Sequence, residues 1–139
     1  MSNGDLWDIG METDAAQEEL TALSTWFDEH NSGIDPQFNL VMRFLKVVEE
    51  NGEMMAEIIG MLGQNPRKGV TSDLDHVIKE GLDGVVSLLG AVESATGNKG
   101  EAFHLLANHI SAVYGRMLQQ PALAEVKSNV KIDKFLDAQ

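Results

Sequence analysis

Cysteine is missing from all 139 residues. That excludes a disulfide framework and any thiolate metal site, and it fits a cytoplasmic protein. Proline is scarce, with three residues, and aromatic side chains make up only 6%. No apolar run reaches the roughly 18 residues needed to cross a bilayer, so no membrane association is expected. The opening stretch, MSNGDLWDIGMETD, lacks the basic and apolar regions of a secretory signal. Residues 1–35 hold nine acids and no Lys or Arg, and the first basic residue is Arg43.

The acids that fill this gap give a formal net charge of −12. Such a surface repels phosphate backbones, so no nucleic acid partner is expected. It serves either as a solvated face that keeps the protein soluble or as an imitation of nucleic acid offered to a basic partner. The length suits one domain with one core.

Glycine and proline divide the chain into segments. Residues 1–12 read as a flexible acidic leader, and Thr13 as the N-cap of a first helix ending near His30. Asn31-Ser32-Gly33 breaks it. Asp35 then caps a second helix that has Pro36 at its first position. Leu40, Phe44, Val47, Val48, Met55, Ile58, Ile59 and Leu62 recur along it at helical spacing, and Gly63 ends it. Gln64 to Val70 is a loop. Thr71 or Ser72 caps a third helix, with Asp73 and Asp75 in its first turn. Leu74, Ile78, Leu82, Val85, Leu89 and Val92 form its expected buried stripe, and Gly97 stops it. A fourth helix runs from about Lys99 to Leu118. Residues 119–139 form a C-terminal tail or short helix. Alternation of period two is absent, so the expected fold is all-α, an antiparallel four-helix bundle. Residues 13–118 are its domain.

Two carboxylate pairs carry the chemistry. Glu50 and Glu53 sit three apart in KVVEENGEMMAEI, and Glu80 and Asp83 sit three apart in HVIKEGLDGVV. Residues three apart share a helix face. Lys46, Glu50, Glu53 and Glu57 share one face of the second helix; His76, Glu80, Asp83 and Ser87 share one face of the third. If both stripes face water, Lys46–Glu50 and His76–Glu80 are ordinary i, i+4 surface pairs. If they face each other, four carboxylates surround a small volume. Each pair of charges 5 Å apart then repels by about 3 kcal/mol at an effective dielectric near 20. A hard divalent cation relieves that repulsion, and Mg²⁺ takes oxygen ligands and carries phosphates as well.

The stretch FLKVVEENGEMMAEIIGMLGQNPRKG followed by EGLDG resembles the MazG-like nucleotide pyrophosphohydrolases of the all-α NTP pyrophosphatase superfamily. Their motif is EExxE, a variable spacer, then ExxD. Here it reads Glu49-Glu50-Asn51-Gly52-Glu53, 26 residues, then Glu80-Gly81-Leu82-Asp83. The resemblance covers roughly residues 37–95. Asn51 stands where an apolar residue is common, and Gly81 and Gly84 flank Leu82-Asp83. Each interior helical glycine costs about 1 kcal/mol relative to alanine, which predicts a looser helix at the site.

The resemblance implies Mg²⁺-dependent hydrolysis of nucleoside triphosphates to monophosphate and pyrophosphate, as nucleotide house-cleaning or pool control. It implies that Glu50, Glu53, Glu80 and Asp83 hold Mg²⁺, with Mn²⁺ as a substitute. Glu49 would reach a second metal or orient the attacking water. Lys46, Asn65, Arg67 and Lys68 would complete the phosphate and nucleotide site. A homodimer or homotetramer is implied too. The alternative is a non-catalytic acidic interaction or nucleotide-sensing protein on the same fold. Trp26 is expected in the core, and Met54, Met55 and Met61 are expected to fill gaps in the bundle.

Overall fold

The structure, a computed structural model, describes residues 3–119, with side chains from residue 12 onward. The fold is all-α, four-helix and bundle-like. The helices are α1 (Asn3–His30), α2 (Pro36–Met61), α3 (Leu74–Ala95) and α4 (Ala102–Leu118), and there is no strand among the described residues. No helix among them is long and apolar enough to cross a membrane. The chain divides between Phe103 and His104 into two compact units, so the span 13–118 expected as one domain crosses that division. The tail expected at 119–139 lies, beyond Gln119, outside the described residues.

Local chemistry sets the helix ends. The Asp35 side chain accepts the Phe38 N–H at 2.9 Å, and Pro36 occupies the first turn, where its missing N–H costs nothing. Gly63 (φ 61°) and Gly97 (φ 81°) take the left-handed conformation that closes α2 and α3. Two expectations need correction. The cap of α3 is Asp73, which accepts the His76 N–H at 3.0 Å. Ser72 Oγ instead donates to Glu57 across the gap to α2. The start of α1 is Asn3, ten residues before Thr13. Residues 3–12 contain no proline, and their acids suit the electropositive end of a helix.

The packing of α2 on α3 is the most extensive in the fold. Its register can be followed through the glycines of α3. A Cβ on Gly90 would meet Arg43 Nη2 at 3.2 Å, one on Gly84 would meet Glu50 Cβ at 3.6 Å, and one on Gly81 would meet Met54 Sδ at 3.3 Å. Numbers fall along α3 as they rise along α2, so the pair is antiparallel. At Gly84 a Cβ would make ordinary contact with α2, and at Gly81 it would press on the flexible end of Met54.

Polar groups bind α1 to the other two helices. Ser24 Oγ donates to the Gly90 carbonyl at 3.0 Å. Asp28 accepts from Arg43 (2.7 Å), Asn39 (3.1 Å), Ser94 (2.7 Å) and Asn98 (2.9 Å). Glu93 is fully buried. It accepts from Gln17, Thr21 and the N–H groups of Gly100, Glu101 and Ala102. Burial pushes both carboxyls up, but these donors outweigh it and hold Asp28 and Glu93 below their ordinary values.

The apolar core is thin. Leu20, Leu89 and Ala102 form its buried cluster, with Val92 and Phe103 packed against it. Most of the expected stripe of α3 lies open instead: Leu74, Ile78, Leu82 and Val85 are exposed, as are Phe44, Val48, Met55 and Ile59 of α2 and Leu62 just past its end. Trp26, expected in the core, is half exposed, with its ring 4.0 Å from His30. The cause is the helix pairing. α2 and α3 meet through their acidic and glycine faces, which turns the apolar stripes away from that contact.

Candidate metal centre

Helical spacing and close packing together build the site. Glu50 is the one buried residue of α2, with 7% of its surface exposed. It lies against Gly84, whose Cβ, if present, would stand 3.6 Å from the Glu50 Cβ, an ordinary contact. Glu80 and Asp83 reach the same space from α3. One carboxylate oxygen from each of Glu50, Glu80 and Asp83 can be chosen so that all three lie within 4.8 Å of one another. Glu53 is exposed and stands outside this trio, yet it feels the trio's field. The Glu50 charge foremost, then burial, then Glu80 push its carboxyl above the ordinary glutamate value. Glu49 is also exposed and pairs with Lys46.

Two lysines partly neutralise the cluster. Lys46 Nζ lies 2.6 Å from Glu49 and 2.9 Å from Glu50. Lys79 Nζ lies 2.9 Å from both Glu80 and Asp83. Hydrogen bonds to these carboxylates raise both ammonium groups above the ordinary lysine value. Each lysine binds acids of its own helix, so neither ties α2 to α3. Five carboxylates stand against two cations, which leaves a local excess of negative charge.

The donor set fits a hard divalent ion. All the available atoms are carboxylate oxygens, the ligands Mg²⁺ selects. Around such an ion oxygens stand about 2.9 Å apart when adjacent and about 4.2 Å apart when opposite, so three oxygens within 4.8 Å of one another would have to draw together to hold it.

The expected phosphate-binding loop is placed differently. Asn65, Arg67 and Lys68 follow the end of α2. Glu53 lies eight residues before Met61, or about 12 Å along the helix. Asn65 Oδ1 accepts the Arg67 N–H at 3.2 Å, capping its own turn. Arg67 and Lys68 are exposed and touch none of the carboxylates. His76 pairs with Asp73 at 2.8 Å, not with Glu80. Sequence reasoning missed Lys79, although its i, i+4 spacing to Asp83 was visible.

Beside the cluster lies a groove of about 180 Å³ between α1, α2 and α3. Leu20, Leu23, Phe27 and Val86 give it apolar walls, with Lys46 and Ser87 also in its lining.

Comparison of the chain with protein-family models, with curated proteins and with solved structures found no match.

Proposed function

We propose that the protein is a Mg²⁺-dependent nucleoside triphosphate pyrophosphohydrolase that yields nucleoside monophosphate and pyrophosphate. The single observation that carries this reading is the convergence of Glu50, Glu80 and Asp83 oxygens within 4.8 Å, with Glu50 buried. The match of these positions to the EExxE…ExxD motif of MazG-like enzymes supports the same reading.

Glu50, Glu80 and Asp83 would hold the ion, with Glu53, which feels the Glu50 and Glu80 charges, as a fourth ligand once it turned inward. When bound, Mg²⁺ supplies charge neutralisation at the phosphate oxygens and a more acidic bound water. Glu49, on the outer edge of the cluster, accepts a hydrogen bond from the attacking water and orients it. Lys46 and Lys79 are 48% and 64% exposed, so both ammonium groups are free to leave the carboxylates for a phosphate as the cation arrives. No covalent nucleophile is needed, because positioning and electrostatics carry most of phosphoryl-transfer catalysis. Arg67 and Lys68 would reach substrate only if their loop closed over it.

The uncovered apolar side chains of α2 and α3 support assembly as a homodimer or homotetramer. An exposed apolar surface on this scale marks an interaction face.

A phosphate-release assay coupled to inorganic pyrophosphatase tests the activity, run on a panel of nucleoside triphosphates with Mg²⁺ or Mn²⁺. Release that depends on both the metal and the coupling enzyme is expected. Release without the coupling enzyme means a different bond is cut. Tight nucleotide binding with no product at all would favour the non-catalytic sensor instead.

A further inference from the structure

We infer that the groove between α1, α2 and α3 receives the nucleobase of the nucleotide whose phosphates meet the carboxylates, an assignment that rests on the hydrolase reading above. At about 180 Å³ the groove is smaller than the roughly 300–1,000 Å³ of pockets that enclose a whole drug-sized ligand. It suits a flat ring, not a complete nucleotide. Leu20, Leu23, Phe27 and Val86 offer apolar contact to the ring faces. The Arg43 guanidinium lies over the Phe27 ring, 5.6 Å from its centroid, so Phe27 meets a base through apolar contact, which every base can make.

The polar groups of the lining fall into two sets. Ser24 Oγ and the Arg43 guanidinium are already engaged: Ser24 donates to the Gly90 carbonyl, and Arg43 donates to Ser24 O, Asp28 and Gly90 O. They form a fixed floor. The Asn31 amide and the Ser87 hydroxyl make no hydrogen bond within the described residues, and both line the groove. An amide presents a donor and an acceptor side by side, which matches the edge of a base.

Position links the groove to the metal centre. Lys46 lines the groove and also contacts Glu49 and Glu50. Ser87 is one helical turn from Asp83 on the same face of α3. A ring seated against Phe27 therefore directs its sugar past Lys46 and its phosphates toward Glu50, Glu80 and Asp83.

Two measurements test this assignment. The first titrates isotope-labelled, metal-free protein with cytidine or adenosine, which carry no phosphate, and follows backbone amide shifts. Shifts centred on Leu20, Ser24, Asn31, Ser87 and Gly90 are expected. The second measures affinity by calorimetry in Mn²⁺, for α,β-methylene nucleoside triphosphates and for inorganic tripolyphosphate. The parent should bind the nucleotide analogues at least tenfold more tightly than tripolyphosphate. Leu23→Trp, which fills the groove from a partly exposed position, and Asn31→Leu should each weaken nucleotide binding at least fivefold and leave tripolyphosphate unchanged. Nucleosides that shift none of those amides, together with parental nucleotide affinity in Leu23→Trp, would overturn the assignment. Nucleoside shifts in the groove without any Mn²⁺-dependent binding of tripolyphosphate would uphold the groove and remove the metal reading.

Discussion

The fold holds two groups of acids that face opposite circumstances. Asp28 and Glu93, where α1 meets α3, are surrounded by donors: an arginine, amides, hydroxyls and the backbone N–H groups of residues 100–102. Glu50, Glu80 and Asp83, between α2 and α3, converge on one another with Glu53 exposed beside them, and among the described residues the cations paired with the trio are lysines on their own helices. Asp28 and Glu93 are held below their ordinary values, whereas Glu53 is pushed up by its neighbours' charge. Acids of the first kind stabilise a structure by themselves. In the second group Glu50, Glu80 and Asp83 each lean on a lysine, while Glu53 stands in its neighbours' field, and a bound cation would relieve that repulsion.

The largest expected effect breaks the first group. Glu93→Ala removes the acceptor for three backbone N–H groups and two side chains in a fully buried position. Breaking such a buried network costs about 3–5 kcal/mol. Chemical denaturation should show that loss, and a thermal scan a midpoint lower by about 10–20 °C. A shift of only one or two degrees would mean that water replaces the carboxylate without penalty. The same group governs acid sensitivity. Because Asp28 and Glu93 have depressed folded values, their stabilisation is present above their unfolded values, near 3.8 and 4.5. It is lost as the pH falls through the folded ones. Acid unfolding should therefore set in below about pH 4, and Asp28→Asn should shift its onset.

The second group should respond in activity instead. Asp83→Asn is expected to lower turnover at least 100-fold, or about 2.7 kcal/mol of barrier, while circular dichroism stays parental. If Asp83→Asn hydrolyses nucleotides at the parental rate, the acids between α2 and α3 lose their assigned role.

Much of the fold can be read from the chain, because its cues are local. The helical class follows from periodicity. Asp35-Pro36 marks the start of α2, and Gly63 and Gly97 mark stops, because capping and left-handed backbone are properties of one or two residues. The i, i+3 spacing places each acidic pair on one face of its helix, but it leaves open whether the two faces meet, and Glu53 stands outside the trio that does converge. The remainder depends on tertiary contacts. Glu93 and Gln17 lie 76 residues apart, and no local spacing announces that they meet. Periodicity identifies an apolar face on α3 but not what covers it, so Leu74, Ile78 and Leu82 were expected inside and lie outside. Asp73 and Ser72 are both good caps. Which one served was decided by Glu57, on another helix, which accepts from Ser72.

Metal addition should sharpen the contrast next. A ligand at 100 times its dissociation constant stabilises a fold by about 2.7 kcal/mol. Mg²⁺ or Mn²⁺ should raise the parental melting temperature, and EDTA should reverse the rise. Glu50→Gln should remove the response, whereas Glu93→Gln should keep it, although it melts lower. An equal metal response in Glu50→Gln would place the ion elsewhere.

The smallest effect is the most diagnostic, because its sign changes. Glu53 is exposed, and its raised value comes first from the Glu50 charge. A carboxyl whose folded value lies above its unfolded one binds protons better in the folded state, so stability falls as the pH rises through that interval. Metal-free Glu53→Gln is therefore expected to melt slightly above the parent at pH 7. The gap should narrow as the pH drops toward the glutamate range, where protonation relieves the parent in the same way. Saturating Mg²⁺ should reverse the order at pH 7, because the parent then gains a ligand that the amide replaces poorly. An amide variant that melts below the parent with and without metal would show that Glu53 is held by favourable contacts. The carboxylates between α2 and α3 would then differ little in kind from Asp28 and Glu93.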